Sequence, residues 1–84
     1  MEYDIKEYRS FRIYVIQATS QKGARVIIID EMLQNRKSIP YDYQIGNYVK
    51  MGIAYLYGKG IVVKGIVTKR NEILLLSDDL SKDL

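Results

Sequence analysis

The chain has no cysteine, no histidine and no tryptophan, and it has a single proline. Without cysteine there is no disulfide framework, thiolate zinc site, iron–sulfur cluster or cysteine nucleophile. Without histidine the commonest general base and the commonest metal ligand are both missing. The expectation is a non-enzymatic protein with no catalytic residues, no metal and no cofactor. Long apolar runs are lacking too: Val26–Ile29 and Ile73–Leu76 hold four residues each, far short of a bilayer span, so no membrane partner is expected. Residues Met1-Glu2-Tyr3-Asp4-Ile5-Lys6-Glu7 are charged where a secretory signal needs an apolar core. The expected location is cytoplasmic, and nucleoid-associated if the chain binds DNA.

What is present fits one small domain over residues 1–84. No linker or repeat divides the 84 residues, and 48% of them are hydrophobic. A chain this short buries roughly 60% of its unfolded surface, so a partner subunit or a second copy would add useful stability. Thirteen basic against ten acidic residues give a charge of +3. The segment 78–84 carries Asp78, Asp79 and Asp83 against Lys82, a local −2, which leaves +5 on the rest. A mildly basic body with an acidic tail (77–84) is compatible with a polyanionic partner. The tail itself is either a docking peptide or a frayed, solubilising end.

The chain reads almost entirely as strand. Phe11–Ala18 is rich in β-branched and aromatic residues and runs through Thr19-Ser20-Gln21-Lys22-Gly23, a turn composition, into Ala24–Glu31. In the first of these, Phe11, Ile13 and Val15 form one row and Arg12, Tyr14 and Ile16 the other. Residues 26–29 are apolar on both faces, so some of them lie outside a small core, covered by the chain ends or by another protein. Residues Met32–Gln44 read as a short third strand or helical turn followed by loop. Tyr48–Tyr57 reads as a long fourth strand, with Val49, Met51, Ile53 and Tyr55 facing the core. Gly58-Lys59-Gly60 reads as its hairpin turn and Ile61–Lys69 as the returning strand. Gly52 and Gly65 fall mid-strand, where glycine marks a bulge or a sharp bend. Asn71–Ser77 reads either as a further strand or extended segment ending near Asp78 or as the first turns of a C-terminal helix continuing through Leu80, since four apolar residues in a row fit both. Asp30 and Glu31, adjacent on a strand, point to opposite faces and make no metal site.

Five strand-like segments with a long hairpin and mid-strand glycines suggest an all-β, five-stranded Greek-key barrel of the oligonucleotide/oligosaccharide-binding (OB) type, spanning about 10–76, with little or no helix. The stretch Ile45-Gly46-Asn47-Tyr48-Val49-Lys50-Met51-Gly52, followed by the basic turn and by Asn71-Glu72-Ile73, resembles the OB domains of the replication protein A middle subunit and its telomere-capping relatives. The motif positions of that family fall on Gly46, Asn47, Val49, Asn71 and Glu72, and Val26–Glu31 is similar to its second strand. The resemblance covers residues 10–74 and implies a small subunit of a DNA replication or repair assembly. Its turn after the second strand differs, being Asp30-Glu31-Met32-Leu33 here.

Barrels of this type bind single strands across the second and third strands and the adjoining loops, using cations for phosphates and aromatic faces for bases. The surface implied by the resemblance holds Lys22, Arg25, Arg36, Lys37, Tyr57, Lys59 and Lys64, with Tyr41 and Tyr43 nearby. The expected partner is single-stranded nucleic acid, DNA ahead of RNA, bound weakly. The competing expectation is a protein–protein adaptor, an accessory subunit that never touches nucleic acid.

Overall fold

In the computed structural model, which describes residues 6–84, five strands and one helix follow in the order β1 (Arg9–Ile16), β2 (Arg25–Asp30), β3 (Asn35–Pro40), α1 (Tyr48–Gly58), β4 (Gly65–Lys69) and β5 (Glu72–Ser77). The strands form one antiparallel sheet in the order β3-β2-β1-β5-β4. The sheet is open, with β3 and β4 as its two edges, so the expected closed barrel does not form. The expected first hairpin does: β1 and β2 pair from Phe11↔Asp30 to Ile16↔Arg25. The mostly-β expectation holds as well, apart from the helix.

That helix replaces the expected fourth strand, and the competing periods explain why. Val49, Met51, Ile53 and Tyr55 alternate, but Tyr48, Met51, Gly52, Tyr55 and Leu56 recur at the spacing i, i+3, i+4, i+7, i+8, which makes one helical stripe. Met51, Gly52 and Leu56 are the residues the helix buries. The ends decide between the two periods. Asn47 is the N-cap, its side-chain oxygen accepting from Val49 N at 2.9 Å and Lys50 N at 3.2 Å. At the other end Gly60 has φ +82°, Gly60 N donates to Tyr57 O, and Ile61 N donates to Leu56 O. This is the Schellman arrangement, and both Leu56 and Ile61 lie in the core. Gly58-Lys59-Gly60 is thus a helix stop and not a hairpin turn. The β4–β5 hairpin turns instead at Arg70-Asn71, between the paired Lys69 and Glu72. Asn47→Ala removes the cap, and a loss of about 1 kcal/mol in urea unfolding is expected; an unchanged midpoint would mean that the helix is held by packing alone.

The core lies between α1 and one face of the sheet. Phe11 and Ile13 of β1, Val26 and Ile28 of β2, and Leu75 of β5 meet Met51, Leu56 and Ile61 there. Register places all five strand residues on one side, with Phe11 opposite Leu75 and Ile13 opposite Ile28. The Phe11–Ile13–Val15 row expected from alternation is therefore the helix-covered row.

At one end of this core lies a buried ion pair. Arg9 and Asp30 have fully buried side chains and are bonded through Arg9 Nη2 and Asp30 Oδ2. Asp30 Oδ1 accepts from Met32 N (3.0 Å) and Leu33 N (3.2 Å), which shapes the β2–β3 turn. Arg9 Nη1 donates to the carbonyls of Asp79 and Lys82, and its guanidinium sits 4.7 Å over the Phe11 ring. The acidic tail is therefore fastened by Arg9, and its last residue, Leu84, packs against the core. Within the tail, Asp79 accepts from Ser81 N and Ser81 Oγ, and these hydrogen bonds, the backbone one foremost, hold its pKa below the ordinary value. The turn's contribution is complete above that ordinary value and fades as pH falls through the lowered one. Glu31 is exposed while Asp30 is buried, the opposite facing expected of the pair.

Candidate nucleic-acid interface

Strand alternation dictates what the helix-free face carries. With Phe11, Ile13 and Val15 under the helix, Ser10, Arg12, Tyr14 and Ile16 point the other way. Register extends this across the sheet. Arg12 lies opposite Ile29, and Ile29 opposite Arg36, forming one row; Tyr14, Ile27 and Ser38 form the next; Ile16, Arg25 and Pro40 form the third. Toward the other edge, Leu74 follows Arg12 and Val67 follows Leu74. Neighbouring strands are about 4.8 Å apart, so Arg12 and Arg36, two strands apart, root about 10 Å from each other.

Three arginines thus surround a patch of Tyr14, Ile27 and Ile29. Ile27 is only 1% exposed although no helix among the described residues covers this face. Tyr14 and Ser38 stand opposite it in the ladder, with Arg12, Arg25 and Arg36 nearby, and the stems of long side chains of that kind cover apolar surface while their charged heads reach water. The Nε atoms of Arg12 and Arg25 are out of solvent and lack a hydrogen-bond partner among the described residues, consistent with such flat-lying stems. Among the strand residues of this face the single carboxylate is Glu72, and Arg12 Nη1 engages its Oε1 at 3.5 Å. Lys69, opposite Glu72 in the β4–β5 hairpin, adds a further cation.

The expected site residues divide. Arg25 and Arg36 come together on the helix-free face, and Lys22 lines a hollow beside Arg25 with Ser38 and Pro40. Lys37 sits on the same edge strand as Arg36 but on the opposite face, at the level of Ile28. Tyr57 and Lys59 lie at the C-terminal end of α1, because the segment expected to form a hairpin is helical; Lys59 Nζ stands 6.0 Å from the centre of the Tyr55 ring. Lys64 precedes β4, its N–H bonded to Leu76 O at 2.7 Å, and alternation puts it on the side of Ile66. Sequence reasoning missed Arg12, Tyr14 and Lys69 as site residues. The signal for the first two was present in the row opposite Phe11, Ile13 and Val15; it lacked only the knowledge that one face stays free of helix.

No group of three or more carboxylates placed to hold a metal ion occurs among the described residues. No helix among them is long and apolar enough to cross a membrane. Comparison with protein-family models, curated proteins and solved structures gives no match.

Proposed function

We propose that the protein is a binding module that takes a single strand of nucleic acid across the helix-free face of its sheet. One observation carries the reading: the register gathers Arg12, Arg25 and Arg36 around Tyr14 and two isoleucines, with Glu72 already engaged by Arg12. Guanidinium groups hold phosphates, and an aromatic ring with apolar neighbours accepts bases without choosing among them. A duplex is too wide and too stiff to lay its bases on so small a sheet, whereas an unpaired strand bends onto it. Service in a replication or repair assembly extends this reading, and its support remains the sequence resemblance.

The test is binding of a labelled oligothymidylate at low salt, compared with the duplex of the same length. The double variant Arg25→Glu/Arg36→Glu is expected to weaken single-strand affinity by about tenfold or more while leaving the circular dichroism spectrum unchanged, and the salt dependence to flatten by about 0.7 per lost phosphate contact. Equal affinity of the double variant and the wild type would remove the sheet face from the reading.

An adaptor role has its own observation. Ile66 is 51% exposed on the helix side of the edge strand β4, and Val62 just before it is exposed as well. An apolar edge of that kind suits a protein partner, and a stoichiometric complex without any oligonucleotide binding would favour it.

A further inference from the structure

The β1–β5 ladder stops early. Its last pair is Ile13↔Ile73, whereas β1 continues beside β2 as far as Ile16↔Arg25. Tyr14, Val15 and Ile16 therefore overhang the β4–β5 turn. Across the other side of β1, Glu31 N donates to Ser10 O, so even-numbered β1 residues direct their peptide groups toward β2 and odd-numbered ones toward β5. The N–H and C=O of Val15 consequently open into a notch, without a ladder partner among the described residues.

The notch is walled by Tyr14 and Tyr48 on one side and by Lys69, Arg70 and Asn71 on the other. Through Val15 and Tyr48, which line both, it continues into a hollow bounded by Gln17, Tyr41 and Tyr43. The Tyr41 and Tyr43 rings stand 4.9 Å apart at 59°. Tyr43 is 74% exposed, so its ring is presented to solvent and not spent on the core. Tyr14 belongs to both the notch and the helix-free face, so a strand lying on that face reaches the hollow by passing round the end of β1.

Two ligand chemistries suit a cluster of tyrosines: an organic cation, held by ring faces, or a flat heteroaromatic ring, held by stacking. The surroundings choose. Among the described residues no carboxylate lines the hollow; Glu72, in the adjoining notch, is engaged by Arg12; and Lys69 and Arg70 stand beside it. Those two cations repel a cationic guest and attract a phosphate. Gln17 and the free Val15 peptide offer both donors and acceptors to a base edge.

We propose that the tyrosine hollow holds one nucleobase of a bound single strand, while the notch carries the attached phosphate past Lys69 and Arg70. This rests on the reading of the sheet face as a single-strand surface and names where one base goes.

The experiment uses the full chain and two probes, an oligothymidylate and thymidine 5′-monophosphate. Tyr43→Ala is expected to weaken oligothymidylate binding by at least about fivefold, the loss of one stacked base, and Tyr43→Phe to leave it near wild type. With the mononucleotide, amide resonances of Val15, Gln17 and Tyr48 are expected to shift. Unchanged oligothymidylate affinity in Tyr43→Ala overturns the hollow and leaves the sheet face standing. Failure of the wild type to bind the oligonucleotide overturns the sheet face; the hollow then survives as a mononucleotide site if those amides still shift, and falls if they do not. Stronger shifts from choline than from the mononucleotide would make it a cation cage and overturn the proposal.

Discussion

Asp30→Ala is expected to cost the protein about 3–5 kcal/mol of stability, the cost of stranding one partner of a buried ion pair. Domains of this size hold only about 5–15 kcal/mol in total, so that loss takes a large share of the margin. The reason lies in what Asp30 does at once. One carboxylate oxygen neutralises the buried Arg9 guanidinium and the other accepts two backbone N–H groups of the β2–β3 turn. Without it Arg9 keeps the carbonyls of Asp79 and Lys82 but loses the Asp30 counter-charge, and its Nε already lacks a partner among the described residues. Asp30→Asn retains a side-chain acceptor for the turn and is expected to lose less. Arg9→Met/Asp30→Leu removes both charges and is expected to cost less than the sum of the single variants, because no orphaned charge remains. Urea unfolding followed by circular dichroism reads the wild type, these variants and the single variants Arg9→Met and Asp30→Leu. An Asp30→Ala variant within about 1 kcal/mol of wild type would mean that water reaches Arg9 and that the pair is not sealed.

This pair also shows where sequence and structure part company. Parity placed Asp30 and Glu31 on opposite faces, and it did so correctly, but nothing local to either residue reveals that Arg9, 21 residues earlier, waits on the buried side. The same holds for the tail: an acidic end with spaced leucines reads as a loose peptide until Arg9 is seen to grip its carbonyls. Strands β1 and β2 were legible because their β-branched runs are bounded by polar turns, whereas the leucines of β5 fit a strand or a helix equally well. The helix was hidden by a segment apolar on nearly every side, in which alternation and helical spacing both find matches. Asn47 and Gly60, thirteen residues apart, were the decisive marks, since each supplies hydrogen bonds or a backbone conformation that a helix end demands. Misreading them closed the sheet on paper, because a fourth strand in that place is what a barrel needs. Two of the seven expected interface residues survived the change together: Arg25 and Arg36 share a face by strand register alone, whatever the sheet does at its edges. Tyr57 and Lys59 did not, because their position depended on the segment that became helical.

The helix that opened the sheet sits close to it at Gly52, and that contact gives a second large effect. A Cβ placed on Gly52 would fall well inside van der Waals contact of Ile13 Cδ1 and 3.3 Å from Leu75 Cδ1. Ile13 and Leu75 are both buried, so neither methyl has free space to retreat into. Gly52→Ala sets two effects against each other: a helix-propensity gain of about 1 kcal/mol and an overpacking cost of about 1–3 kcal/mol. The second is expected to win, and Gly52→Leu, with three more carbons to place, is expected to exceed the upper end of that range. Ile13→Val removes the offending Cδ1 at a cost of about 0.5–1.5 kcal/mol by itself. In the double variant Gly52→Ala/Ile13→Val the alanine methyl occupies the vacated space and the propensity gain is expressed. The double variant is therefore expected to be at least as stable as Ile13→Val alone, with a favourable coupling of about 1 kcal/mol or more between the two sites. If Gly52→Ala is instead neutral and the two substitutions simply add, α1 rides higher on the sheet than the Gly52–Ile13 contact requires. The helix would then owe its place to Asn47, Gly60 and the Leu56–Ile61 contact, and not to glycine's missing side chain.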